Sequence, residues 1–217
     1  MKKFALALGV ATALLATSCA EPKAHNTGVY MLIDTSGTYT AEVEQARQII
    51  NVILARLEPS DAFAVARVDT GSFSERDIIA KIKFDDRPSV ANQQKRQFRD
   101  AVETFVGSVK PSSHTDITGG VLQASEFLAE KGTGRKIILI YSDLKEDLQK
   151  GYVRDLPLAL DGFEVIALNV TKLRSDNIDP REYTGRIDEW RSRVEKGGGR
   201  WRVINDLESL DAVWRRP

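Results

Sequence analysis

Uninterrupted apolar runs alternate with stripes of helical period from residue 29 onward. Val29-Tyr30-Met31-Leu32-Ile33 is apolar at every position and ends at Asp34, as a strand buried on both faces does. Ile137-Ile138-Leu139-Ile140, within 136–141, and the stretch 163–170 repeat that pattern. Residues 62–68 read as a further strand. Residues 79–84 alternate apolar and basic positions, which suits a half-exposed edge strand joined to its predecessor by a hairpin or short loop. Residues 201–204 give a last strand.

The stripes between these runs are amphipathic. Over 41–57, Ala46, Ile49, Ile50, Ile53, Leu54 and Leu57 share one face, with Glu42, Glu44, Arg47, Gln48 and Arg56 opposite, and Pro59 stops the helix. Phe98, Ala101, Val102, Phe105 and Val106 mark a second helix, and Ile117, Val121, Ala124 and Leu128 a third. Ile187, Trp190 and Val194 mark another, stopped by Gly197-Gly198-Gly199, and 207–214 a last one. Such alternation predicts an α/β fold: a doubly wound, mostly parallel six-stranded sheet flanked by helices, without a second domain. Ligands of such sheets bind beyond the carboxyl ends of the strands, at the topological switch point.

The first residues follow a different logic. Lys2 and Lys3 precede an apolar run, 4–16, that is short for a membrane span and has the layout of a secretory signal. Ala16-Thr17-Ser18 stands directly before Cys19, the only cysteine. This resembles a lipobox, although Ala16 replaces the commoner Leu. The resemblance implies cleavage before Cys19 and its lipidation, with 1–18 as the lipoprotein signal peptide, 19–27 as a lipidated tether and 28–217 as the domain. It places the protein in the bacterial cell envelope, with Ala20 rather than Asp after the cysteine favouring the periplasmic side of the outer membrane where there are two membranes.

Composition narrows the class further. Hydrophobic residues make up 42% and charged ones 29% of 217, enough for a sizeable core. Without Lys2 and Lys3 the chain carries 29 basic against 31 acidic side chains, a balance that argues against nucleic acid as partner. Arg186, Arg191, Arg193, Lys196, Arg200 and Arg202 are interleaved with Asp188, Glu189 and Glu195 and read as a solvated face. His25 and His114 are too few for a histidine metal site.

The first strand ends in Asp34-Thr35-Ser36-Gly37-Thr38, one carboxylate and several hydroxyls on a tight turn. Oxygen ligands of this kind suit Mg²⁺. The same residues also make a good turn and helix cap. Asp34-x-Ser36-x-Thr38 resembles the metal-ion-dependent adhesion site of von Willebrand factor A domains, with Thr38 in place of a serine. By that resemblance Thr115, before Asp116-Ile117 and the third helix, is a further ligand, with Thr118 as competitor. Asp143, after the strand 136–141, is the fifth; Ser142 and Leu144 depart from the family's Thr-Asp-Gly. The resemblance implies Mg²⁺ (or Mn²⁺) held by Asp34, Ser36, Thr38, Thr115 and Asp143, an acidic side chain of a protein partner completing the shell, and a membrane-anchored binding module rather than an enzyme. Two other readings compete. Asp34-x-Ser36-Gly37-Thr38 also resembles the motif of haloacid-dehalogenase-like phosphatases, but Ser36 cannot serve as the acid that chemistry requires. The departures suit a structural interaction module with an inactive metal site. Finally, the polar segment 171–184 is expected to leave its strand at the carboxyl end and to form part of the site's rim.

Overall fold

The computed structural model of the protein describes residues 25–37, 42–173 and 175–214. The signal 1–18, Cys19 and most of the tether lie outside them. Six strands form one sheet among these residues: β1 (Thr27–Asp34), β2 (Ala62–Val68), β3 (Ile78–Lys83), β4 (Arg135–Tyr141), β5 (Phe163–Leu168) and β6 (Arg200–Ile204). Their order is β3-β2-β1-β4-β5-β6, parallel throughout except for β3, which runs antiparallel to β2. The alternating apolar and basic strand is therefore the edge strand its pattern suggests, one residue earlier than expected. A 3-10 turn (Glu75–Asp77) lies in the link before it.

Among the described residues five helices cover the two faces: α1 (Val43–Arg56), α2 (Pro88–Val106), α3 (Ile117–Glu130), α4 (Pro180–Lys196) and α5 (Asp211–Trp214). Because β1 is buried on both sides, its side chains divide between two cores. Val29, Met31 and Ile33 pack with Ile49, Ile50 and Ile53 of α1 and Phe98 and Val102 of α2, while Tyr30 and Leu32 pack with Val121 and Ala124 of α3 and Trp190 and Val194 of α4. Gly120 lets α3 lie close on the sheet, since a Cβ there would stand 2.8 Å from a methyl of Leu32.

Two boundaries differ from expectation. The last apolar stripe splits into a 3-10 segment, Leu207–Leu210, and the single turn of α5. The polar segment after β5 ends early, because Asp179 caps the next helix by accepting from the Arg181 amide and Pro180 supplies a fixed φ at its first position.

The connections create the switch point. From β1 the chain passes through α1 to β2 on one side; from β3 it returns through α2 and α3 to β4 on the other. Ile33 pairs with Tyr141, so the strands end nearly level and the residues at and just beyond their ends, Asp34 to Gly37 and Ser142 to Leu144, face each other across the split.

Candidate metal centre

Asp34 closes β1 and is 1% exposed. One carboxylate oxygen accepts the Ser36 amide at 2.8 Å, which folds the turn after the strand back on itself. The other accepts the Ser142 hydroxyl at 2.6 Å, bridging from the end of β1 to the end of β4. Ser142, read from sequence as a departure, is thus part of the site. It also accepts the Leu144 amide at 3.0 Å.

Asp143 is 3% exposed and accepts the Lys145 amide at 2.8 Å through one oxygen. Its other oxygen has no hydrogen-bond partner among the described residues. Leu144 follows with φ 66°, in the left-handed region where glycine is at ease, and its side chain is buried in the core beneath α3 and α4. Packing holds this non-glycine residue in the turn.

Thr115 arrives from the loop before α3. Its backbone pairs with Asp147 in both directions, at 2.8 and 3.0 Å, and its hydroxyl has no partner among the described residues. Thr118 is engaged elsewhere: its amide donates to Glu146 and its hydroxyl accepts from Arg193. Thr115 lines the cleft, and Thr118 does not. Asp116, 1% exposed, caps α3 by accepting the Gly119 amide and is gripped by Arg154, whose nearest nitrogen is 2.7 Å away.

Ser36, Thr115 and Asp143 line one open cleft of about 1010 Å³, together with Gly37, Ser112, Lys145, Asp147, Thr171, Lys172 and Ser175. Ser112 joins through a bridge to Ser36, its amide donating to the Thr35 carbonyl at 2.7 Å. The segment after β5 reaches the rim as expected. Thr38 lies outside the described residues, as does Arg174.

Electrostatics follow from burial. Desolvation pushes the Asp34 carboxyl above the usual carboxylate range, against the lowering effect of its hydrogen bonds from Ser142 and Ser36. Desolvation likewise raises Asp143, with the nearby Asp34 charge adding and the Lys145 amide and Arg186 opposing. Two carboxylates are thus held in a poorly hydrated site where their shared negative charge is costly. A cation would relieve it.

The donors are all oxygens. Among the described residues no three His, Cys, Asp or Glu side chains are grouped as a metal cage. An ion here would meet carboxylates, hydroxyls and water, a donor set that suits a hard divalent cation. The basic residues of α4 correct another expectation: Arg186 and Arg193 are largely buried, the first paired with Asp176 and the second with Glu146, while Arg191 remains on the solvated face with Asp188. Neither partner carried a signal in the sequence beyond its charge.

No protein-family model matches the sequence, and no curated protein matches it. Solved structures do. A von Willebrand factor type A protein from Catenulispora acidiphila superposes with a TM-score of 0.53 at 15% identity, covering 88% of this chain and 41% of that one. The pilus adhesin SpaC from Lactobacillus rhamnosus GG, in its open conformation, gives 0.53 at 11% identity, covering 87% of this chain and 29% of that one. The chain thus spans less than half the length of either. Its fold is that of a von Willebrand factor A domain.

Proposed function

We propose that this chain is an envelope-anchored von Willebrand factor A-like binding module that captures a protein partner through a Mg²⁺ or Mn²⁺ ion. Asp34, Ser36, Thr38, Thr115 and Asp143 hold the ion, and a partner's Asp or Glu completes its shell. The observation that carries this reading is that Ser36, Thr115 and Asp143, from three separate loop and strand ends, line one cleft, with the buried Asp34 carboxylate tied to the Ser36 amide and the Ser142 hydroxyl beside it. The adhesin among the structural neighbours is in keeping with it.

The protein's own contribution is placement. Ser142 and the Ser36 amide fix Asp34 as an acceptor, the Asp147 bridge fixes the Thr115 loop, and Asp143 keeps one oxygen open towards the cleft. An ion held there would supply positive charge within reach of a partner's carboxylate. Nothing in the arrangement needs a nucleophile, and Ser36 stands where a phosphatase of the haloacid-dehalogenase type would need its acid. Lipidation at Cys19 would hold the module at the membrane; among the described residues no helix is long and apolar enough to cross one.

Titrating Mn²⁺ into the purified protein, followed by electron paramagnetic resonance, tests the centre. Asp34→Ala should weaken Mn²⁺ binding at least about tenfold, with no hydrolysis of phosphate monoesters by either form. Phosphatase turnover lost on Asp34→Asn would replace this reading with the enzymatic one.

A further inference from the structure

Arg186, on the second turn of α4, is 13% exposed and makes three directed contacts with two other segments. Two guanidinium nitrogens donate to the two oxygens of Asp176, each at 2.8 Å. The third, Nε, donates to the backbone carbonyl of Asp143 at 3.1 Å. Asp176 is 2% exposed and also accepts the Leu173 amide at 2.7 Å, so it ties down the segment after β5 that lines the cleft.

This arrangement uses every edge of a planar, rigid donor group. The fork is spent on one carboxylate, which leaves Nε aimed in a fixed direction. A lysine could make the ion pair but could not hold both geometries at once. The carbonyl it reaches belongs to Asp143 itself, in a turn where the next residue has φ 66° and where Leu144 in turn accepts the Trp190 indole N–H at 3.2 Å from α4. Two side chains of α4 thus grip the backbone on either side of that peptide unit.

We propose that Arg186 is a positioning residue for the metal centre: with Asp176 as its anchor, it locks the backbone of Asp143 so that the carboxylate is presented to the cleft in one orientation. The ion-holding part rests on the function proposed above; the backbone lock does not. Such outer residues commonly set metal affinity by 10- to 100-fold without touching the ion.

The two parts are separable by experiment on the full chain. Hydrogen exchange of the Leu144 and Lys145 amides, which close the turn onto Ser142 and Asp143, reads the lock with no metal present. Arg186→Lys should speed their exchange roughly tenfold or more while leaving the central strand β1 unchanged. In the Mn²⁺ titration Arg186→Lys should weaken binding about tenfold. That loss should vanish in an Asp143→Ala background but persist in a Thr115→Ala background, a dependence general destabilisation would not give. Unchanged exchange at Leu144 and Lys145 overturns the lock. Exchange that rises as expected, with Mn²⁺ affinity insensitive to both Asp143→Ala and Arg186→Lys, keeps the lock and overturns the ion-holding role. Should Arg186→Lys fold poorly, Asp176→Asn removes the anchor's charge and is read by the same measurements.

Discussion

At the level of single residues, the site was legible wherever a side chain's chemistry is local and obscure wherever it depends on a distant partner. Asp34, Thr115 and Asp143 stand at ends of elements that hydrophobic periodicity locates, so their convergence follows from the parallel order of the strands. Ser142 looked like a loss against a threonine-bearing motif, yet it donates to Asp34 across the split between β1 and β4. The burial of Asp34 also has a consequence for stability. A carboxyl whose folded pKa lies above its unfolded value binds its proton more tightly when folded. Its stabilising contribution is full below the ordinary carboxylate range and is lost as pH rises through the raised value. Without metal, Asp34 therefore weighs against the fold at neutral pH. In EDTA, Asp34→Asn should melt higher than the parent at pH 7, the gap narrowing towards pH 4. With excess Mg²⁺ the order should reverse, because only the parent gains the stabilisation of a bound ion, about 2.7 kcal/mol at a hundredfold excess over Kd. Equal destabilisation by Asp34→Asn in EDTA at both pH values would count against this assignment.

At the level of elements, α1, α3 and β1 to β5 sit within a few residues of where periodicity puts them, because each has one or two continuous apolar faces. The segment after β5 does not. A run rich in Lys, Arg, Asp and Asn reads as a polar rim, whereas Asp176 is buried against Arg186, ten residues further on in another element. No local pattern distinguishes that aspartate from exposed Asp188. Its pKa, held down to about 2 first by the hydrogen bonds from Arg186, means that its stabilisation is in place above the ordinary carboxylate range and is lost only in strong acid. Replacing this stretch wholesale would therefore damage the fold and not merely the rim. Removing one partner of a buried pair costs roughly 3–5 kcal/mol. Asp176→Ala should accordingly lower the melting temperature on the order of 10 °C. Ile178, at 89% exposure beside the capping Asp179, has no such task. Ile178→Ser should leave the melt and Mn²⁺ affinity unchanged, so it is the variant with which to probe partner contacts at the rim. An unaltered melt for Asp176→Ala would show that the pair is dispensable.

At the level of the whole molecule, the direction of the strands separates the two proposed attachments. The chain enters β1 at Thr27 and leaves it at Asp34, eight residues that span about 26 Å at roughly 3.3 Å each. All the parallel strands start at the first end and finish at the second, so the cleft lies at the pole opposite to where the tether joins the domain. An anchor at Cys19 would then leave the cleft turned away from the bilayer, open to a partner arriving from the aqueous side. Near-balanced charge gives the domain no strong reason of its own to lie on an anionic surface. Anchoring and ion binding should therefore be independent. Cys19→Ser should move the protein from the membrane to the soluble fraction while its Mn²⁺ affinity stays within about twofold of the lipidated form. Persistent membrane fractionation would count against lipidation. A large change in affinity on release would mean that the bilayer touches the cleft, which the placement of the two poles argues against.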